Sequence, residues 1–161
     1  MLMRMCSVGF GDKKEKPDIL YGYNAGVVEL EVNINTGQTR VLKIINASDP
    51  GTIINPQALE GQVEGAVAFG IGIALSESFN SGKKQNFREY GLPRIKDIPE
   101  ILEPIFVEDP LQKGPFGAKS AGEMPLISVV PAIINALSDA TSKRIRELPA
   151  TPEVVCSSLA N

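Results

Sequence analysis

The stretch that decides the fold is Val28-Glu29-Leu30-Glu31-Val32-Asn33-Ile34-Asn35-Thr36-Gly37-Gln38-Thr39-Arg40-Val41-Leu42-Lys43-Ile44-Ile45-Asn46. Val28, Leu30, Val32 and Ile34 alternate with Glu29, Glu31 and Asn33, the period of two that half-buries a strand. Asn35 to Gln38 supplies a turn in which Gly37 is free to adopt positive φ, and Arg40 to Asn46 reads as the returning strand. Residues 26–46 are therefore expected to form a β-hairpin.

Working outward, Asp49-Pro50-Gly51 is a turn, and Asn55-Pro56 is a helix start with asparagine as cap and proline in the first turn. The helix should run from Pro56 to about Ser78, with Leu59, Val63, Val67 and Ile71 on its buried face. It holds Gly61, Gly65, Gly70 and Gly72, each costing about 1 kcal/mol relative to alanine. Either a closely packed neighbour or a bound ligand would account for them. Residues 79–118 read as loop-rich, with a turn at Ser81-Gly82-Lys83-Lys84 and a strand near Ile101–Glu108 that Pro104 confines to an edge or to its first residues. A second strong helix is expected near Ser128 to Thr141, capped by Ser128, with Pro131 in its first turn and Val130, Ile133, Ile134 and Leu137 buried. Residues 1–20 read as an irregular lead-in, 144–149 as extended and 156–161 as a tail. The expected fold is α+β: a small mixed or antiparallel sheet with two main helices packed on it.

Composition limits the chemistry. The chain has 161 residues, a formal charge of −3, two cysteines and no histidine. Serine-histidine, cysteine-histidine and zinc-protease machinery are thereby removed, and two thiols alone do not close a tetrahedral zinc site. The acidic balance and an interrupted Lys13–Lys16 run argue against a nucleic-acid surface. No run of ten glycine-free apolar residues occurs, against the roughly 20 of a membrane helix, and the N-terminal residues do not read as a secretory signal. A cytoplasmic address is expected. Catalysis must rest on a carboxylate, a lysine or a cofactor.

Pro115-Phe116-Gly117-Ala118-Lys119-Ser120-Ala121-Gly122-Glu123 is a loop of small residues ending in one carboxylate. Glu123 there is either a helix-start residue stabilised by free N–H groups or a general base beside a ligand. Gln62, in Gly61-Gln62-Val63-Glu64-Gly65, reads as a buried amide that needs partners at both ends, either backbone or a polar ligand. Glu64 should face solvent or an ion pair. Lys119 reads as a surface lysine or a partner for an anionic group.

Taken together, Glu29 to Gly37, Asp49-Pro50-Gly51 with Ile54-Asn55-Pro56, Gly61 to Gly65, Tyr90 to Pro93 with Asp97 to Pro99, Pro115 to Glu123 and Arg144 to Pro152 resemble the molybdenum-cofactor-binding subunit of the xanthine dehydrogenase/aldehyde oxidase family, the molybdenum hydroxylases. The resemblance spans residues 21–155, which it makes a molybdopterin-binding domain, and matches only the C-terminal portion of that subunit. It implies Glu123 as general base toward water or hydroxide at the molybdenum, Gln62 as a contact of the pterin, and Ser120, Ala121 and Gly122 as the loop passing the metal site; no residue of this chain is expected to ligate metal. It further implies hydroxylation of an aldehyde or N-heterocycle with water as oxygen source, and electrons leaving through iron–sulfur clusters and often FAD on partner subunits. The family usually has glycine at the position of Ser120 and a bulkier aliphatic at that of Ala121. The other wall of the site lies in the remaining half of that subunit, so the isolated chain is expected to be inactive and prone to self-association. A non-catalytic remnant or assembly module, and an unrelated small-ligand binding domain, remain as rival readings.

Overall fold

A computed structural model describes residues 2–9, 18–79 and 85–160, with side chains described from Tyr21 onward. Four strands, β1 (Leu2–Gly9), β2 (Asp18–Val32), β3 (Thr39–Ser48) and β4 (Ile101–Phe106), form one mixed sheet in the order β1-β2-β3-β4. The pairs β1–β2 and β2–β3 are antiparallel, and β3–β4 is parallel. The expected hairpin is β2–β3. Its turn closes where the Gly37 amide donates to the Asn33 carbonyl at 2.7 Å, with Gly37 at φ 72°. A side chain at Gly37 would also strike the carbonyl of Pro152, so the tight turn leaves room for a later helix.

The crossover from β3 to β4 carries α1 (Pro56–Leu75) and the short α2 (Phe87–Tyr90). Asn55 caps α1 as expected, its side chain accepting from the Ala58 amide at 3.0 Å. α3 (Met124–Thr141) then lies along the sheet, chiefly over β2, and α1 packs against α3. The core joins Val41 and Ile44 of β3 to Val63, Val67 and Ile71 of α1 and Val129 and Ile133 of α3. Each such aliphatic contributes about 1.5–3 kcal/mol when fully buried. A smaller cluster joins Leu137 to Ile145, Ala150 and Val155. The α+β class with two main helices is the observed one. By length and composition alone α1 and α3 could cross a membrane, yet both contribute core residues here.

Several expectations change. The irregular lead-in is replaced in part by β1 and by the start of β2 at Asp18, because pairing with a distant strand overrides weak local signals. The mixed-charge run and the turn at 81–84 lie outside the described residues. β4 keeps Pro104 inside it, opposite Asn46, which an edge strand tolerates. α3 begins four residues before Ser128: Pro125 takes the first-turn position, Pro131 is interior, and Ser128 is buried instead of capping. Val129 is fully buried in the core, and Val130 is half-buried against it. Residues 156–160 of the expected tail belong to α4 (Pro152–Ala160), started by Thr151, whose carbonyl accepts from the Val155 amide at 2.9 Å.

What positions the end of the long loop is an ion pair. Lys119 Nζ donates to Asp49 Oδ2 at 2.6 Å and to Asp109 Oδ2 at 3.0 Å, and the Lys119 and Asp49 side chains are only 8% and 7% exposed. The backbone doubles the clamp: the Lys119 amide donates to Pro50 O at 2.8 Å and the Thr52 amide to Gly117 O at 3.0 Å. Asp49 Oδ1 accepts from the Gly51 amide at 3.1 Å. Burial works to lower the Lys119 pKa, but Asp49 and Asp109 outweigh it and hold the ammonium above the usual lysine range. Lys119 is thus neither a surface lysine nor a free anion partner.

The other anchor is a polar layer under the start of α3. Asn46 Nδ2 donates to Pro125 O at 2.9 Å, and Asn24 Nδ2 donates to Asn46 Oδ1 at 2.8 Å and to Ser48 Oγ at 2.7 Å. Glycines in β2 admit the helix: a Cβ at Gly26 would stand 2.7 Å from Ser128 Oγ.

Replacing Lys119 with methionine strands the buried Asp49 carboxylate, so urea denaturation should show a loss of about 3–5 kcal/mol. The pair's contribution is complete below the unfolded lysine pKa of about 10.4 and fades as pH rises through the higher folded value. The stability gap between wild type and Lys119→Met should therefore stay constant through neutral pH and close as the lysine loses its proton in strong alkali. Gly26→Val should cost about 1–3 kcal/mol by overpacking, read the same way.

Candidate functional site

Glu123 stands at the N-cap of α3 with φ −108° and ψ −17°. Its side chain is exposed and makes no capping hydrogen bond. A carboxylate there gains from the positive end of the helix, while nothing in the cap engages its oxygens. The residues before it, Ser120 and Gly122, are also exposed, and Ala121 is half-buried. The Lys119 clamp therefore delivers a short run of small residues to the surface, with one acid at its end.

α1 meets this run on its neighbouring face. A Cβ built on Gly122 would lie 3.9 Å from Gln62 Oε1, so the glutamine amide and the loop backbone are neighbours. Gln62 is exposed, contrary to the buried amide expected from its apolar surroundings. It sits beside Val63, which faces the core, and one residue along a helix rotates a side chain about 100° out of that face. Glu64 is exposed, as expected.

The four glycines of α1 divide into two kinds. A Cβ on Gly70 would come 2.6 Å from Val129 Cγ1, so Gly70 exists for the α1–α3 crossing; a Cβ on Gly72 would overlap the Glu77 side chain. Among the described residues nothing approaches within 4 Å of a Cβ built on Gly61 or Gly65. Both packing and an open surface are thus present, at different ends of one helix. The open end holds Gly61 and Gly65, four residues apart along one bare strip of backbone, with Gln62 beside them near Gly122.

Chemically this offers an exposed carboxylate, an amide able to donate and accept, and helix and loop backbone without side chains in the way. Among the described residues no three histidine, cysteine, aspartate or glutamate side chains gather as a metal site. A shallow depression lined by Asn135, Ser138, Asp139 and Lys143 lies toward the other end of α3, away from Glu123. Sequence reasoning missed the Asn24–Asn46–Ser48 layer and the Lys119–Asp49 pair. The layer has a local signal: Asn24, Asn46 and Ser48 are polar residues at strand positions that register onto the inward face.

Residues 5–99 match the family model of the molybdopterin cofactor-binding domain. The aldehyde oxidoreductase of Megalodesulfovibrio gigas is 44% identical over 145 residues, 89% of this chain and 16% of that protein. The xanthine dehydrogenase molybdenum-binding subunit of Escherichia coli O157:H7 is 40% identical over 132 residues, 78% of this chain and 17% of that protein. Among solved structures, the aldehyde oxidoreductase from Desulfovibrio gigas superposes with a TM-score of 0.86 over 91% of this chain and 16% of its own, at 44% identity. Quinoline 2-oxidoreductase from Pseudomonas putida gives 0.82 over 89% of this chain and 19% of its own, at 30% identity. The chain spans about one-sixth of the length of these curated relatives. With more than half of its residues inside the family model and its sheet and helices superposing on oxidoreductases, the chain belongs to the molybdopterin cofactor-binding domain family, as part of the molybdenum-cofactor-binding subunit of the molybdenum hydroxylases.

Proposed function

We propose that this chain forms one wall of the active site of a xanthine dehydrogenase- or aldehyde oxidase-like molybdenum hydroxylase, acting on an aldehyde or N-heterocycle within a larger cytoplasmic complex. The observation that carries the reading is the approach of Gln62 to Gly122, the residue before the exposed Glu123, on a helix left bare at Gly61 and Gly65. That strip fits a pterin-bearing group: backbone open to 4 Å admits a flat ring, and an exposed amide supplies matched donor and acceptor. When bound, the molybdenum–pterin group supplies two-electron redox chemistry with water as the source of oxygen.

The residues of this chain hold, orient and take up a proton. Gln62 pairs its amide with the polar edge of the pterin. Ser120, Ala121 and Gly122 let the loop backbone come close without side-chain bulk, and the serine hydroxyl adds a polar contact where glycine is usual. Glu123, held at the start of α3, takes the proton released as water becomes the attacking oxygen. Its position is fixed by the Lys119 clamp on one side and by the Asn46 contact to Pro125 O on the other. Electron transfer belongs to iron–sulfur and flavin groups on partner subunits, and the second wall to the remaining half of the molybdenum subunit. Without them the chain is inactive.

In the assembled enzyme, Glu123→Gln should lower turnover by about 10²–10⁴-fold, with molybdenum content by metal analysis near that of wild type. Unchanged turnover removes Glu123 as the base. Gly65→Leu should act in the opposite way, keeping the fold of a helix already open at that position while lowering molybdenum content. A chain that never acquires molybdenum beside its companions is a non-catalytic module.

A further inference from the structure

The turn that follows α3 gathers cations that the fold leaves without acids. Elsewhere Arg40, Lys43, Arg94 and Lys119 each pair with a carboxylate. Among the described residues Lys143, Arg144 and Arg146 pair with none. The chain as a whole carries a formal charge of −3, so this run stands against its general balance. The end of a helix presents about half a negative charge, which one such side chain offsets. The others are left over.

The turn that carries them is tied down. Thr141 Oγ1 donates to Leu137 O at 2.8 Å, the Lys143 amide donates to Thr141 Oγ1 at 3.4 Å, and the Ile145 amide donates to Ser138 Oγ at 3.4 Å. Ile145 is buried with Leu137, Ala150 and Val155, while Arg144 and Arg146 on either side of it are exposed. Lys143 and Arg144 are thereby presented to a concavity of about 450 Å³, completed by Asn135, Ser138, Asp139 and Ser142. Small-molecule sites typically occupy roughly 300–1,000 Å³. Every lining residue is polar, so the concavity offers no wall to an apolar ring or chain. The hydroxyls of Ser138 and Ser142 donate to no acceptor among the described residues. Asp139 lies sixteen residues beyond Glu123 on α3, about 24 Å along the helix.

We propose that this concavity binds free phosphate in its hydrogen-bearing form. Lys143 and Arg144 give charge-assisted hydrogen bonds to the anionic oxygens, and Ser138 and Ser142 add neutral donors. Asp139 accepts from the O–H that inorganic phosphate keeps at neutral pH. The cations select an anion, and the carboxylate selects among anions. Sulfate has no proton to place between itself and Asp139, and a phosphate monoester loses its second proton near pH 6, as a rough value. Both are repelled where hydrogen phosphate is held. The inference stands independently of the molybdenum reading, because none of these residues belongs to the Gln62–Glu123 region.

The test is an NMR titration of the full chain with inorganic phosphate at about pH 7.5 and constant ionic strength, with sulfate and glycerol 3-phosphate in parallel. The expected result is saturable shifts centred on residues 138–146, with sulfate and the ester binding at least about tenfold more weakly. Lys143→Gln with Arg144→Gln should weaken phosphate binding at least about tenfold, at unchanged melting temperature. Arg144→Gln alone, at an exposed position, serves should the pair disturb folding. Lys96→Gln, an exposed cation on another segment, should leave binding as it is. Asp139→Asn should bring sulfate and the ester to within about threefold of phosphate. Shifts that fail to saturate, or that spread over exposed lysines and arginines elsewhere, overturn the proposal. So do wild-type affinity in the glutamine variants and equal binding of all three anions by the wild-type chain.

Discussion

Two charges buried side by side at the end of β3 set the geometry on which the rest of this structure depends. Taking an ammonium and a carboxylate out of water costs several kcal/mol per ion, and their attraction repays it only when the remaining hydrogen-bonding positions are filled. Here they are: Lys119 has a second carboxylate in Asp109, and the other oxygen of Asp49 takes the Gly51 amide. An aliphatic pair could fill the same volume without specifying which loop residue sits there. The ionic contact does specify it, and the backbone bonds from Lys119 to Pro50 and from Thr52 to Gly117 fix the direction in which the chain leaves. It leaves toward Glu123.

A second constraint meets the first at the head of α3. The helix rests closely on β2 because Gly22 and Gly26 carry no side chains, and it is held in register by a buried amide that reaches the carbonyl of Pro125. Buried polar groups are tolerated when their partners are complete, and Asn24, Asn46, Ser48 and Ser128 supply most of one another's partners. The acid at the helix start is thus aimed by parts of the fold that never touch it. Because those parts are rigid, a small displacement in either one moves the carboxylate with them.

The glycines show how one residue type serves two purposes. Gly70 is needed because Val129 occupies the space its side chain would take, whereas Gly61 and Gly65 border nothing among the described residues. A helix carrying exposed glycines forgoes about 1 kcal/mol at each. That cost is understandable where another body must lie on the backbone. On the far side of the sheet, Val27, Ile101 and Ile105 are also exposed among the described residues.

The β2–β3 hairpin and the start of α1 were legible from sequence because their causes are local. A period of two, a glycine in the turn and an Asn-Pro cap act within a few residues of one another. That Gln62 and the loop before Glu123 bear on one region was suggested only by family resemblance, and the structure brings Gly122 of that loop near Gln62. What sequence did not reveal was decided between distant segments: that residues 2–9 pair as a strand, that α3 starts at Met124, that residues 152–160 form a helix whose start lies against Gly37, and that Lys119 turns inward. Lysine on a loop is ordinarily solvated, and only the arrival of Asp49, seventy residues earlier, makes burial favourable. Likewise, no local pattern separates a glycine that admits a helix from one that admits a ligand. The difference lies in what stands opposite, and tertiary structure alone supplies it.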